Sequence, residues 1–501
     1  MRFKLLIVLF VCVVFVACGR RSVDNDAYQY DTSIGDEIHH GYVNFETNQH
    51  GLVRTLSVLA QDVFESTIRQ AEMDMLEAWA VMYPDSGYQF HLELNTYSID
   101  GIHDVSNILV RLQVMLMAGY GYDMFFRGFH PIWSYTQSGF LVDIYTLIDQ
   151  DPRTNREDFF TQPLKALEIN DGLYTFPLSF GFKYVSINEN LPQQFVNRFI
   201  NKDIISIFEL MSVYVELTNQ YTDAFGHMRF VDGSFVFQTP TSMLLSCIGG
   251  FVDLGNRTAN LTDRDFVSFL NDFASLFLLD PSIYTNIAGP VRSYGTTRDR
   301  SNEFVFLVDT HFLNPGIALA VDFPYFINSI PLSDNHGRLI LDMHTAPFPS
   351  TWASVCFPVV GDSILAWEFT QHLIEAFSQP YGEALHSASR GSWGQYSMVS
   401  PISRHLLTPH ITEAFETMGR HTRQLANLGI ELDEESWLAL IDSSIQRLYA
   451  LNEMPMVPLH SHIPTLLFAD DLDSFIQGAI SAEIFAQRMQ NAVSMWMLEQ
   501  S

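Results

Sequence analysis

One stretch constrains the fold of this 501-residue chain more than any other: Asp171-Gly172-Leu173-Tyr174-Thr175-Phe176-Pro177-Leu178-Ser179-Phe180-Gly181-Phe182-Lys183-Tyr184-Val185-Ser186-Ile187-Asn188. It opens on a turn dipeptide, Asp171-Gly172, and then runs apolar, aromatic and β-branched, which reads as extended strand. Small residues (Ser179, Gly181, Ser186) interrupt it, as in a buried strand that something else approaches closely. Pro177 removes a backbone donor, so this part of the stretch belongs to an edge or to a crossing between sheets.

The length exceeds what one hydrophobic core serves, and predicts two domains. Apolar residues make up 47% of the chain, enough for large cores. Net charge is −30 and the only lysines are Lys4, Lys165, Lys183 and Lys202, a surface poorly suited to phosphate and hence to nucleic acid as a partner. Cys247 and Cys356 sit in apolar runs and read as two buried thiols or one disulfide.

Residues 52–60 alternate as a first strand, 63–83 carry helical spacing (Ile68, Ala71, Met75, Leu76, Trp79), and 88–95 alternate as a second strand. A second helix over 105–118 meets Gly119, a glycine C-cap. Strand, helix, strand, helix at this spacing predicts an open, largely parallel α/β sheet. Helices are also expected over 203–220, after Thr262 as N-cap, and through the last hundred residues, ending with 482–498.

Several segments together resemble the extracellular solute-binding proteins of sugar-type ABC importers, the maltose-binding-like family 1. The 171–188 stretch is similar to their first interlobe crossing. Ala118-Gly119-Tyr120-Gly121-Tyr122-Asp123 resembles the turn before their third strand, and Tyr135-Thr136-Gln137-Ser138-Gly139-Phe140-Leu141 a helix end. Cys247-Ile248-Gly249-Gly250-Phe251-Val252-Asp253 resembles a second-lobe helix end, and Ala366-Trp367-Glu368-Phe369 a first-lobe helix. The resemblance covers about residues 50–500. It implies an α/β, two-lobe periplasmic-binding-protein-like fold of type II, its interleaved lobes joined by crossover strands. The implied divisions are 46–180 plus 358–396 for lobe 1 and 181–357 plus 397–501 for lobe 2.

By the register of that family, ligand-contacting positions are Arg127 and His130, where relatives carry other residues, with Gln61 and Asp62 at the first strand–helix junction. Trp133 offers an indole face for stacking. Thr239 and Thr241 open a helix whose N–H groups can meet ligand oxygens, or serve as ordinary caps. Asp322, Phe323 and Tyr325 combine a hydroxyl-accepting carboxylate with aromatic faces, and Trp352 lies on the return crossing. The expected ligand is a carbohydrate, an oligosaccharide, passed to the transmembrane subunits of an ABC permease by a monomeric binding protein without a cofactor.

Arg2 and Lys4 precede an apolar run over 5–17, too short for a transmembrane helix but suited to a signal peptide. Phe15-Val16-Ala17-Cys18 resembles a lipobox, which implies removal of 1–17 and acylation of Cys18, with polar residues to 45 as a tether on the outer face of the cell membrane. Nucleophile-elbow, metalloprotease and P-loop signatures are lacking in the sequence. His460-Ser461-His462 has no third ligand nearby, and the expectation is neither a metal site nor an enzyme. A lipid-anchored carbohydrate-active enzyme and a ligand-presenting partner of a sensor are the alternatives.

Overall fold

The computed structural model describes residues 46–48, 51–84, 89–97, 102–128, 130–182, 184–200, 202–221, 229–232, 240–279, 305–309, 330–342, 353–378, 400–420, 434–458, 463 and 467–499. Contacts divide the chain into Met1–Tyr42 and Val43–Ser501, and every described residue lies in the second unit.

The first part builds one sheet. In chain order it runs β1 (Glu46–Asn48), β2 (Gly51–Gln61), α1 (Glu65–Met82), β3 (Gln89–Tyr97), α2 (Ile102–Met117), β4 (Met124–Phe126), α3 (Ile132–Gln137), α4 (Ile144–Gln150), α5 (Thr161–Ala166), β5 (Glu168–Ile169), β6 (Gly172–Leu173) and β7 (Phe176–Pro177). β3 and β4 flank β2 in parallel, with Gln61 opposite Tyr97 at the shared carboxyl end of β2 and β3. The buried face of α1 is Ile68, Ala71, Met75 and Trp79, whereas Leu76 points to solvent.

Two glycine-ended helices carry the same closure. Gly119 N donates to Leu116 O and Tyr120 N to Met115 O, while Gly139 N donates to Thr136 O and Phe140 N to Tyr135 O. Both glycines are left-handed, at φ 76° and 71°, so each pair of bonds is a Schellman closure that a Cβ would strain. The turn expected at Asp171-Gly172 is one residue earlier. Asn170 and Asp171 hold the two positive φ values between β5 and β6, as a two-residue type I′ connection demands.

The second part alternates between sheets. It comprises β8 (Ser179–Phe182), β9 (Tyr184–Ile187), α6 (Gln193–Val196), β10 (Ile205–Ser206), α7 (Ile207–Gln220), β11 (Arg229–Asp232), α8 (Pro240–Cys247), β12 (Val252–Asp253), β13 (Thr258–Ala259), α9 (Arg264–Leu279), β14 (Val305–Asp309), β15 (Ile330–Ser333) and β16 (Leu339–Asp342). Then follow β17 (Ser354–Cys356), α10 (Ser363–Ser378), β18 (Ser400–Pro401), α11 (Arg404–Arg420), α12 (Glu434–Asn452), β19 (Met456–Pro458), α13 (Ala469–Ile476) and α14 (Ala482–Glu499). Capping of α9 falls to Asp263, whose Oδ1 accepts from Asp265 N, and not to Thr262.

β17 returns to the first sheet, whose order is β1-β2-β4-β17-β7 with β3 also on β2. β7 is therefore an edge, where Pro177 lacks no ladder bond that a neighbour needs. The second sheet is β11-β14-β9-β15-β16-β8-β18, with β10 on β15 and β19 on β16. The expected parallel pairing holds for β2, β3 and β4, whereas β17 runs against β4 and most second-sheet pairs are antiparallel.

Alternation then assigns the cores. On the second sheet Phe182, Tyr184, Leu339, Leu341 and Met456 join one cluster, and Val185, Ile187, Ile340 and Val457 the other. The first cluster continues through Phe176, Leu178 and Phe180 into Val58, Phe126 and Val355, covered by α1, α10, α11 and α12. The second is closed by α7, α8, α9, α13 and α14. A third, on the opposite face of the first sheet, gathers Leu59, Phe125 and Cys356 with residues of α2 and α3. Cys247 and Cys356 are free and buried, so their disulfide alternative falls away.

Asp123 locks the first lobe. Its Oδ2 accepts from Ser57 N and Ser57 Oγ at 2.7 Å each, and its Oδ1 accepts from Asp362 N at 2.7 Å. Asp362 in turn caps α10 by accepting from Leu365 N and pairs with Arg54 at 2.8 Å. Asp123→Ala is expected to cost roughly 2–4 kcal/mol, since two backbone N–H groups lose a charged acceptor. Gly139→Ala, which strains one left-handed residue, is expected to cost about 1 kcal/mol. Urea unfolding midpoints compare the two, and an Asp123→Ala variant no weaker than Gly139→Ala would refute the assignment of Asp123.

Candidate functional site

Parallel strands end together, and their last residues form a shelf. Here that shelf is Gln61 on β2, Tyr97 on β3 and Arg127 after β4, with Ser354 entering from β17. In α/β sheets the carboxyl ends of parallel strands are where ligands meet the fold. The chain path holds these groups firmly: Arg127 N donates to Ser354 O at 2.8 Å, and His130 N turns back to Arg127 O at 2.9 Å. Gly128 between them sits at φ 43°, where an added Cβ would meet the Tyr97 hydroxyl at 2.7 Å and Gln61 Nε2 at 3.1 Å. Only glycine lets Tyr97 and Gln61 close on each other there.

The shelf is polar yet shut away from solvent. Gln61 is 1% exposed, His130 3% and Arg127 4%. Burial raises the pKa of the Tyr97 hydroxyl, against a smaller pull from the neighbouring Gln61 side chain, and Gln61 Nε2 has no hydrogen-bond partner. Burial lowers Arg127 to about 10, against a smaller opposing effect of Cys356. His130 lies edge-on to Phe125, centroids 5.0 Å apart, and beside Tyr135. Neither of its ring nitrogens has a hydrogen-bond partner, nor do Ser354 Oγ and the Tyr135 hydroxyl. Such groups cost about 1–3 kcal/mol each when left unmet, and aligned hydroxyls of a bound molecule are the natural complement.

The Cys356 thiol, at 3.1 Å from Thr175 Oγ1, is pushed up to about 12 by burial. It is a neutral packing group beside the shelf and no nucleophile. Among the described residues no group of three His, Cys, Asp or Glu side chains has the arrangement of a metal site.

The structure brings Gln61, Arg127 and His130 together. Asp62 is exposed, in a 3-10 turn that leads from β2 to α1. Trp133 is 1% exposed and packed, its ring 5.1 Å from that of Trp496. Thr241 is half-buried in the first turn of α8. Cys18, Thr239, Asp322, Phe323, Tyr325 and Trp352 lie outside the described residues, as do His460 and His462. Sequence reasoning missed Tyr97, Gly128 and Ser354. Tyr97 was within reach, because β2 and β3 pair without a bulge and their last residues must coincide. Ser354 arrives from a distant crossing, and no local pattern marks it.

Burial lowers the His130 pKa from 6.5 to about 3. Between these values the unfolded chain takes up a proton that the folded one refuses, so folding stability declines as pH falls from 6.5 towards 3. At pH 4.5 this amounts to about 2.7 kcal/mol. His130→Gln is expected to remove that share, so the stability gap between variant and wild type changes between pH 7.5 and 4.5 in urea unfolding. Parallel pH profiles would rule out a buried neutral imidazole.

No family model matches the sequence, and no curated protein matches it. Solved structures do. A protein from Synechococcus sp. MITs9220, described as an oligosaccharide periplasmic-binding protein, superposes with TM-score 0.51 at 13% identity, covering 89% of this chain and 99% of that one. Its zinc complex gives 0.50 at 12% identity over the same shares. An extracellular solute-binding protein family 1 from Alicyclobacillus acidocaldarius gives 0.45 at 13% identity, over 90% and 100%. The fold is that of the periplasmic binding proteins, two α/β lobes joined by strands that pass between them.

Proposed function

We propose that this chain is a solute-binding lipoprotein of an ABC transporter. It captures an oligosaccharide between its two lobes and delivers it to the permease. The observation that carries this reading is the shelf at the strand ends, where His130 and Ser354 hold buried hydrogen-bonding atoms without a protein partner. A neutral imidazole, a hydroxyl and an amide side chain, with aromatic rings beside them, suit the hydroxyls and apolar faces of a sugar. Support also comes from the oligosaccharide-binding description of the Synechococcus protein whose fold is similar.

In this reading no bond is broken. Solute shifts an equilibrium between lobe arrangements through its preference for one of them. Arg127, His130 and Gln61 contact the solute from the first lobe. Thr239, Thr241, Asp322, Phe323, Tyr325 and Trp352 remain the proposed contacts from the rest of the chain, with Asp62 and Trp133 at the margin. Lobe 1 would take 46–180 plus 358–396, and lobe 2 181–357 plus 397–501, save that β17 belongs with the first sheet and β8, from Ser179, with the second. No helix among the described residues is long and apolar enough to cross a membrane. Membrane attachment on the extracytoplasmic face is assigned to acylated Cys18, and the acting form to a monomer.

The test is thermal unfolding of residues 19–501 against maltooligosaccharides, chitooligosaccharides, peptides and polyamines, with chromatography of any hit. A solute at 100 times its Kd is expected to add about 2.7 kcal/mol, and to be recovered intact. His130→Ala should then weaken binding by about tenfold or more, the loss of one well-placed buried hydrogen bond. Cleaved sugar would replace this reading by an enzyme, and a response to peptides or polyamines alone would remove carbohydrate as the solute class.

A further inference from the structure

Two apolar side chains belong to more than one core. Leu254, after β12, and Trp496, in the last turns of α14, pack against the second-lobe cluster and also against the first-lobe cluster on α2 and α3. They are the partly buried side chains common to those two clusters. Trp496 meets Trp133 at 5.1 Å between ring centroids, inclined by 34°. Arg257 completes the contact: its guanidinium lies 5.9 Å from the Trp133 ring and donates to Gln137 Oε1 at 2.6 Å. Arg257 holds φ 53° at the end of the β12–β13 hairpin connection. An added Cβ on Gly255 would stand 3.6 Å from Asn170 Oδ1, so the β12–β13 loop also runs beside the β5–β6 turn.

The second-lobe side is braced as a unit. Gln490 on α14 accepts from Leu261 N at 2.6 Å and donates to Ala259 O at 2.7 Å. Loop and helix therefore move together. On the first-lobe side Trp133 stands three residues after His130, and Tyr135 packs in the same cluster and beside the His130 ring. A second-lobe element thus bears directly on the helix that leads out of the shelf.

We infer that the Leu254–Arg257 loop and the Trp496 end of α14 form a strap. It holds the second lobe down on α3 and keeps the shelf closed. Its strength sets the share of molecules in which the lobes stand apart. The composition of the contact suits reversible release. Ring against ring and one polar bond at the margin let go together when the lobes separate, while each lobe keeps its own core. Its consequence for solute, weaker capture when the strap is loosened, rests on the function proposed above.

Spin labels on V81C and I484C, both exposed positions, report the distance between lobes by pulsed dipolar spectroscopy. Labelling is carried out on residues 19–501, whose only native cysteines, Cys247 and Cys356, are buried and stay unlabelled. No solute is added, so failure here leaves solute capture untouched. Wild type is expected to give one dominant distance. Trp496→Ala and Leu254→Ala should each raise a second, longer distance by roughly tenfold in population, the factor that a loss of about 1.4 kcal/mol gives. Arg257→Ala, an exposed substitution that leaves both cores intact, should shift the distribution the same way by less. Should Trp496→Ala fail to fold, Arg257→Ala decides alone. Unchanged distributions in the folded variants, or a shift to shorter distances, would overturn the strap.

Discussion

A chain that crosses repeatedly between two sheets has to satisfy both of them with one set of strands. Phe176 to Ile187 meets that demand here. Phe176 and Pro177 pair with β17 at the edge of the first sheet, and Ser179 to Phe182 pair with β16 and β18 in the second. Leu178 alone separates the two, and its N–H still finds Ala353 O at 2.7 Å. The one residue between the two strands thus keeps its donor paired in passing from one lobe to the other. Every described residue of the two strands is buried, and the phenylalanines pack edge to face along the passage. Burial of each such ring stabilises by about 1.5–3 kcal/mol, which makes the crossing a stiff pivot.

Stiffness at the pivot explains how the remaining core is divided. Alternate residues of the second sheet face alternate clusters, so a slip of one residue in β8 would exchange Phe180 and Phe182 with Gly181. Register at the crossing therefore fixes the packing of α11 and α12 on one side and α7 to α9 on the other. The same fixed register brings β17 back beside β4, and with it Ser354 to the shelf. A site built from β2, β3, β4 and a returning strand exists only because the return is antiparallel and in register.

Most of the framework was legible in the sequence, and the reason is local. Alternation marked β2 and β3, helical spacing marked α1 and α7, and Gly119 marked a helix end, each through a feature confined to a few residues, while the end at Gly139 was marked by the family resemblance. Pro177 marked an edge for the same reason. Legibility failed where one position depended on another far away. Ser354, Trp496 and Arg257 matter through neighbours more than a hundred residues distant, and nothing in their own windows says so. Leu76 failed differently: helical spacing alone cannot say which border of an apolar stripe the neighbouring sheet covers. Gln61, Arg127 and His130 stand together on the shelf, whereas Trp133, three residues on, gives its ring to Trp496.

Polarity on the shelf and the apolar strap beside it are two parts of one balance. Unmet hydrogen-bonding atoms on His130 and Ser354 make the closed shelf unfavourable by itself, while the contact of Trp496 and Leu254 favours closure. A strong strap would close the lobes on nothing, and a weak one would leave closure to depend on the solute alone. Were the lobes poised between these limits, a few hydroxyl groups of the proposed solute would be enough to shift the equilibrium, since each would restore a bond that closure took from water. In the proposed function, responsiveness to solute would come from leaving the shelf unsatisfied, not from making it tight.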